Sequence, residues 1–288
     1  MKDCHFQPWA GAIIYGDNNA RLIRGLFGGD AEVPDIHHSA AEGYSVAAAH
    51  YEKGRPHYPP EVDAWLRGDL ALRKGKTALD LGSGTGKFLP HLRRTEATVV
   101  AVEPVAAMLV QLREAHPGIE AKHGSAENIP LADASVDAVV CAQSFHWFAS
   151  AEALNQIRRV LKPGGVLGLV WNIRDESVEW VAELKRIFDA YGGDAPRFHT
   201  QGWRKVFPAA GFTPLSETRF LHGHTGPPEH VIIDRVLSTS FIAALPAAQR
   251  IRIAAQVRQL IANTPDLAGK SEVTMPYVTA AYSCQRLP

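Results

Sequence analysis

Three glycines fall within five residues at Gly82-Ser83-Gly84-Thr85-Gly86, directly after the apolar run 77–81 that contains Asp80. Glycine at that density lets a backbone turn sharply and approach a ligand, because no Cβ stands in the way. Two phosphate-binding loops use this device, and neither fits. A dinucleotide loop reads Gly-x-Gly-x-x-Gly, and here the third glycine comes one position early. A P-loop needs a hydroxyl residue after Gly-Lys, and Gly86-Lys87 is followed by Phe88. Glu103 ends the next apolar run, about 20 residues past the loop, where a carboxylate can accept from both hydroxyls of a ribose. Dinucleotide enzymes share that acid, so it does not discriminate alone. Farther on, "HGHTGPPEH" offers His222, His224 and His230. On a strand the first two share a face, but no cysteine or carboxylate stands at zinc spacing. They read as polar loop histidines, and we expect no metal.

The elements around the loop alternate. Residues 77–81, 98–102, 136–142 and 166–171 are short apolar runs rich in β-branched residues, continuous as in strands covered on both faces. Helical patterns at 105–115 and 150–162 separate them, the second with Ser150 as N-cap. A weaker strand fits 119–123. This order predicts an α/β fold: a Rossmann-like, doubly wound parallel sheet with helices on both faces. Pro90 must sit in the first turn of the helix that follows the loop, which therefore starts at or after Gly86. Beyond Asn172 the spacing predicts helices over 178–192 and 203–212, two more within 228–263, and a strand within 272–287. Residues 1–43 are irregular and read as an extension or cap, and a short helix fits 45–54.

Composition excludes several classes. The chain has 288 residues, with Lys plus Arg and Asp plus Glu equal at 30 each, so no bulk charge favours nucleic acid or an anionic membrane. Three scattered cysteines, Cys4, Cys141 and Cys284, suit a reducing compartment. No signal peptide or membrane-length apolar run is read, so a cytoplasmic protein is expected.

The loop resembles the first motif of class I S-adenosylmethionine-dependent methyltransferases, and the likeness extends along the core 77–172. "GSAENIPL" (124–131) is similar to the loop after strand three, "VDAVVCAQSFHWF" (136–148) to strand four and its exit, and "RRVLKPGGVLGLVWN" (158–172) to the helix, turn and fifth strand. The resemblance implies a seven-stranded sheet, mostly parallel with its last strand antiparallel, in one methyltransferase domain over 44–288. It implies that Asp80 contacts the cofactor's amino-acid end and that Gly82, Ser83 and Gly84 form the floor beneath it. Glu103 would hold the ribose, with Pro104 and Met108 beside it. Ser125, Ala126 and Glu127 would border the adenine, and Gln143, Ser144 and Phe145 would follow strand four. "YEKGRPHYP" (51–59), "SFHWF" and "WNIRD" resemble a branch that includes relatives of trans-aconitate methyltransferase. There Tyr51 and Arg55 would fold over the cofactor, Arg55 near its carboxylate; the plainer reading is a solvated arginine in a proline turn.

Methyl transfer is an in-line displacement that draws much of its acceleration from holding the reactants in line. A general base is needed only for an acceptor that must lose a proton. His146, after strand four, stands where that base would, or it belongs to an aromatic wall with its neighbours. Cys141 has no preceding proline and reads as a buried thiol rather than a cytosine-methylating nucleophile. No Asn-Pro-Pro-aromatic sequence follows strand four, which disfavours transfer to exocyclic base amines. The expected acceptor is a small molecule, selected by residues 1–60 and by the cap elements 44–76 and 228–263. A nicotinamide-dependent oxidoreductase and a non-catalytic binder of the same cofactor are the alternatives.

Overall fold

The computed structural model describes residues 56–193 and 196–288. The expected extension over 1–43, the helix within 45–54, and the contacts at Tyr51 and Arg55 lie outside them. Seven strands, β1 (Thr77–Leu81), β2 (Thr98–Glu103), β3 (Glu120–His123), β4 (Val136–Ala142), β5 (Leu161–Arg174), β6 (Ser216–Gly226) and β7 (Val273–Gln285), form one sheet in the order β3-β2-β1-β4-β5-β7-β6. β1 to β5 pair in parallel, whereas β7 runs antiparallel to both β5 and β6.

Among the described residues the helices are α1 (Glu61–Gly68), α2 (Leu89–Arg94), α3 (Ala106–Ala115), α4 (Ala151–Val160), α5 (Glu179–Asp189), the short α6 (Arg235–Leu237) and α7 (Ser240–Ala243), and α8 (Ala247–Asn263). Because side chains alternate across a strand, the continuous apolar runs supply two cores. Leu79, Leu81, Val139, Cys141, Leu167, Leu169 and Trp171 pack on one face with Leu154, Ile157 and Val160 of α4. Ala78, Ala138, Val140 and Val170 pack on the other with Val62, Trp65 and Leu66 of α1 and Leu89 and Leu92 of α2. Ser150 caps α4, its Oγ accepting from the Ala153 amide at 3.1 Å. α2 begins at Leu89 with Pro90 in its first turn.

A third cluster lies toward the C-terminal half. It joins Trp180, Val181, Leu184 and Phe188 of α5 to Val231, Ile232 and Ile233, to Ile253 and Val257 of α8, and to Val273, Met275 and Tyr277 of β7. Here the structure differs from the sequence reading. β6 is a full edge strand, its burial alternating residue by residue. The helix read through 162 stops at Val160; Leu161 is already extended, and Pro163 cannot continue the helix. Residues 203–212 form only a 3-10 turn, Gly202–Val206, before Pro208. The two patterns within 228–263 become a π turn, Glu229–Asp234, running into α6, then α7 and α8. Among the described residues no helix is long and apolar enough to cross a membrane.

Candidate active site

β1 lies between β2 and β4, so the order of strands reverses there and a crevice opens beyond their carboxyl ends. Its floor is the glycine loop, sewn to β2 where the amides of Gly82 and Ser83 donate to the Val102 carbonyl at 2.9 and 3.2 Å. Gly82 and Gly84 both take left-handed backbone, at φ +68° and +58°. A Cβ on Gly82 would strike Ser144 Cβ at 2.8 Å. A Cβ on Gly84 would meet only Met108 Sδ at 3.9 Å, because that position opens into the cavity. Ser144 secures the opposite wall by donating its hydroxyl to the Leu81 carbonyl at 2.8 Å.

Glu103 closes this floor. Its Oε2 accepts from the Gly84 amide at 2.8 Å and its Oε1 from the Val105 amide at 2.9 Å. Each oxygen keeps a second lone pair, so the carboxylate that shapes the loop can also accept from ribose hydroxyls. Burial raises its pKa, and the two amides work against that rise. Asp80 is buried behind the loop, and neither carboxylate oxygen meets a donor among the described residues. Burial, then the charge of Glu103, raise its pKa to about 7. A loop open at Gly84, a carboxylate pair of lone pairs free for a ribose, and a buried acid lacking a cation together fit an S-adenosyl amino acid.

A second cavity continues from the first, and Gln143, Trp147, Asn172 and Arg235 line both. Gln143 has left-handed backbone, φ +60°, a strained state for a residue with a side chain. Its side-chain amide donates to the Asn172 carbonyl at 3.2 Å. Asn172 Oδ1 accepts from Thr279 Oγ1 at 2.5 Å, which ties the end of β5 to β7. His146 lines only the second cavity, and its Nδ1 accepts from the Trp171 indole at 3.1 Å. An indole N–H can only donate, so the ring proton resides on Nε2. Arg174, at the end of β5, lies over the Phe188 ring at 4.1 Å. Burial, then the charge of Arg235, push its guanidinium down to about 9, still charged at neutral pH.

Of the residues singled out from sequence, Gly82, Ser83, Gly84, Glu103, Pro104, Met108, Ala126, Gln143 and Ser144 line the first cavity. Five stand elsewhere. Asp80 lies beneath the floor, and Phe145 is fully buried in the core beside Phe148. Ser125 is buried with its hydroxyl unpartnered among the described residues, and Glu127 is exposed. His146 belongs to the second cavity. Sequence reasoning passed over Lys87, Asn172, Arg174 and Arg235. Lys87 and Asn172 were legible as residues flanking recognised strands, whereas Arg174 and Arg235 converge only through the fold. His222 stacks on Tyr277 at 5.6 Å, and among the described residues no three His, Cys, Asp or Glu are grouped to hold a metal.

Comparison with known proteins places this geometry. Residues 79–169 match the family model described as a methyltransferase domain. An uncharacterized methyltransferase-like protein of Schizosaccharomyces pombe is 36% identical over 248 residues, covering 85% of this chain and 96% of the relative. An uncharacterized methyltransferase of Mycobacterium tuberculosis is 42% identical over 236 residues, covering 82% and 92%. A solved structure from Anaeromyxobacter dehalogenans, provisionally named a type II methyltransferase, superposes with a TM-score of 0.59 at 26% identity, over 81% of this chain and 99% of that one. A [4+2]-cyclase shares the fold at a TM-score of 0.53 and 15% identity, over 86% and 96%. The fold alone thus leaves the reaction open, whereas the 36% and 42% identity to methyltransferases over more than four-fifths of the chain does not. The chain belongs to the class I S-adenosylmethionine-dependent methyltransferases.

Proposed function

We propose that the enzyme methylates a small molecule seated in the second cavity while S-adenosylmethionine occupies the first, and that it acts chiefly by alignment. The observation that carries this reading is the shared wall of Gln143, Trp147, Asn172 and Arg235, where the two cavities meet. Bound S-adenosylmethionine supplies an activated methyl carbon: a bond forms from the acceptor's nucleophile while the carbon–sulfur bond breaks with its electron pair going to sulfur.

The chain's own residues do the holding. Glu103 accepts from the ribose hydroxyls, and Gly82 to Gly84 pass beneath the amino-acid end with Asp80 as the buried acid for its ammonium. Pro104 and Met108 flank the ribose, and Ala126 borders the adenine, with Ser125 and Glu127 on the same loop. Of the cap segments, 44–76 contributes Pro56, His57 and Tyr58 to the first cavity, and 228–263 contributes Arg235. His146, with Nδ1 accepting from the Trp171 indole, lines the second cavity and serves there as a positioning group for the acceptor.

Two measurements test this. Calorimetric titration with S-adenosylhomocysteine gives binding to the wild type and none to Gly84→Val, whose side chain fills the cavity floor; unchanged affinity in a folded variant defeats the placement of the loop. Transfer of labelled methyl from S-adenosylmethionine to a metabolite extract separates an enzyme from a silent binder of the cofactor.

A further inference from the structure

The second cavity has an uneven charge. Arg174, Arg197 and Arg235 line it, and the acid among its lining residues is Asp189. That acid is already engaged, accepting from Arg197 Nη1 at 2.9 Å with Lys185 Nζ at 3.9 Å. Arg235 donates to Thr239 Oγ1 at 3.3 Å and stands at the junction with the cofactor cavity. Arg197 and Arg235 each leave a buried Nε without a hydrogen-bond acceptor among the described residues, and Arg174 leaves two nitrogens so. Its Nε and Nη1 are shut off from solvent and have no hydrogen-bond acceptor among the described residues.

A guanidinium nitrogen shut off from water without an acceptor forfeits its hydration and gains little in return. The Phe188 ring beneath it offsets part of that cost through its π face. The ring leaves the Nε and Nη1 hydrogens unused, and a charged guanidinium N–H is a strong donor to a carboxylate oxygen. Aromatic rings of Trp171, Phe198 and Phe241 share the remaining walls with the polar His199 and Thr239. The rings favour an apolar body. Asp189, beside Arg197, disfavours a second negative charge, which argues for a monoanionic head over a phosphate dianion.

We propose that the second cavity is the acceptor pocket and that it takes a small carboxylic acid with an apolar body, its carboxylate held by Arg174. This rests on the methyltransferase reading above, since the acid must reach the junction where the methyl carbon is presented. Arg174 is a specificity-determining residue: it fixes the acid's head at the far end and so sets which atom of the acceptor reaches Gln143 and Trp147.

The test uses the full-length protein saturated with S-adenosylhomocysteine and follows the fluorescence of Trp147 and Trp171, both in the cavity wall. The probes are phenylacetate and 3-phenylpropionate, their neutral amides, and phenyl phosphate. Each acid is expected to bind at least about tenfold more tightly than its amide, as loss of a charge-assisted pair in a shielded site implies. Arg174→Gln should erase that preference with the S-adenosylhomocysteine titration unchanged, and Arg174→Lys should keep part of it. Equal affinity for acid and amide overturns the proposal, as does tighter binding of phenyl phosphate, a preference that survives Arg174→Gln, or no binding of either acid at millimolar concentration. A protein that binds no S-adenosylhomocysteine defeats the donor assignment instead, and the acid–amide comparison in its absence still reads the pocket.

Discussion

Asp80 sits level with Ala101 of β2 and Val140 of β4, so three strands enclose a carboxyl that has no donor among the described residues. The folded protein holds its proton up to about pH 7, whereas the ordinary carboxyl releases it near 3.8. Between those values the folded state binds more protons than the unfolded one, so the stability cost is absent below the lower value, grows as pH rises, and is complete above the higher. Asp80→Asn should therefore stabilise the protein by about 1–3 kcal/mol at pH 8 and by little at pH 4, as thermal melts at the two pH values will show. The same variant should bind S-adenosylhomocysteine more weakly, as the proposed contact of Asp80 with its ammonium requires. In the wild type, affinity for that ammonium should fall by up to about tenfold per pH unit below pH 7, since binding must expel the proton. A pH-independent titration would remove Asp80 from the cofactor's contacts. The acid and its place before the glycines were legible in the sequence; its isolation was not, because that follows from strand register. His146 illustrates the converse: its type was legible, but the Trp171 indole that donates to its Nδ1 lies 25 residues away.

The elements are held at the end of the sheet away from the crevice by Asp137, at the start of β4. Its carboxylate accepts from the Thr77 amide at 2.9 Å, Lys76 Nζ at 3.0 Å and Lys162 Nζ at 2.8 Å, joining the starts of β1, β4 and β5. Burial alone would raise its pKa, but these donors hold it down to about 2. The stabilisation is thus present above the ordinary value of 3.8 and is lost as pH falls through about 2. Asp137→Asn should cost about 1 kcal/mol at pH 7, limited by the exposure of both lysines, and nothing below pH 2. S-adenosylhomocysteine affinity should stay unchanged, because the crevice lies at the other ends of the strands. Truncating the cap Ser150→Ala should likewise cost about 1 kcal/mol in thermal stability. β1, β2, β4 and β5 were readable because burial on both faces demands unbroken apolar runs, whereas the edge strand β3 is half-exposed and gave a weaker signal. β6 was not: "SETRFLHGHTG" alternates small, charged and imidazole side chains, as an edge strand with one solvated face requires. The π turn after it leaves no periodicity to read.

The molecule divides its labour between two packed regions. The parallel strands and their helices shape the cofactor crevice, and sequence motifs found that region because each strand exit contributes a contiguous stretch. The acceptor cavity instead lies where the end of β5 meets the C-terminal cluster. Its walls come from Trp171, Arg174, Phe188, Phe198 and Phe241, brought together from separate elements, so no local pattern announces it. Phe188 and Phe241 belong to the same buried cluster as Ile253 of α8, which itself lines neither cavity. Ile253→Ala should cost about 2–4 kcal/mol by leaving a void there. The void should loosen the acceptor wall and leave Glu103 and the glycine loop in place. Methyl transfer should then fall several-fold with S-adenosylhomocysteine affinity held within about twofold, since Ile253 lines neither cavity. Leu79→Ala, of similar size but beneath the loop in β1, should do the reverse and weaken S-adenosylhomocysteine first. If both variants lose cofactor affinity and turnover in parallel, the two regions form one cooperative unit, and the division of labour fails.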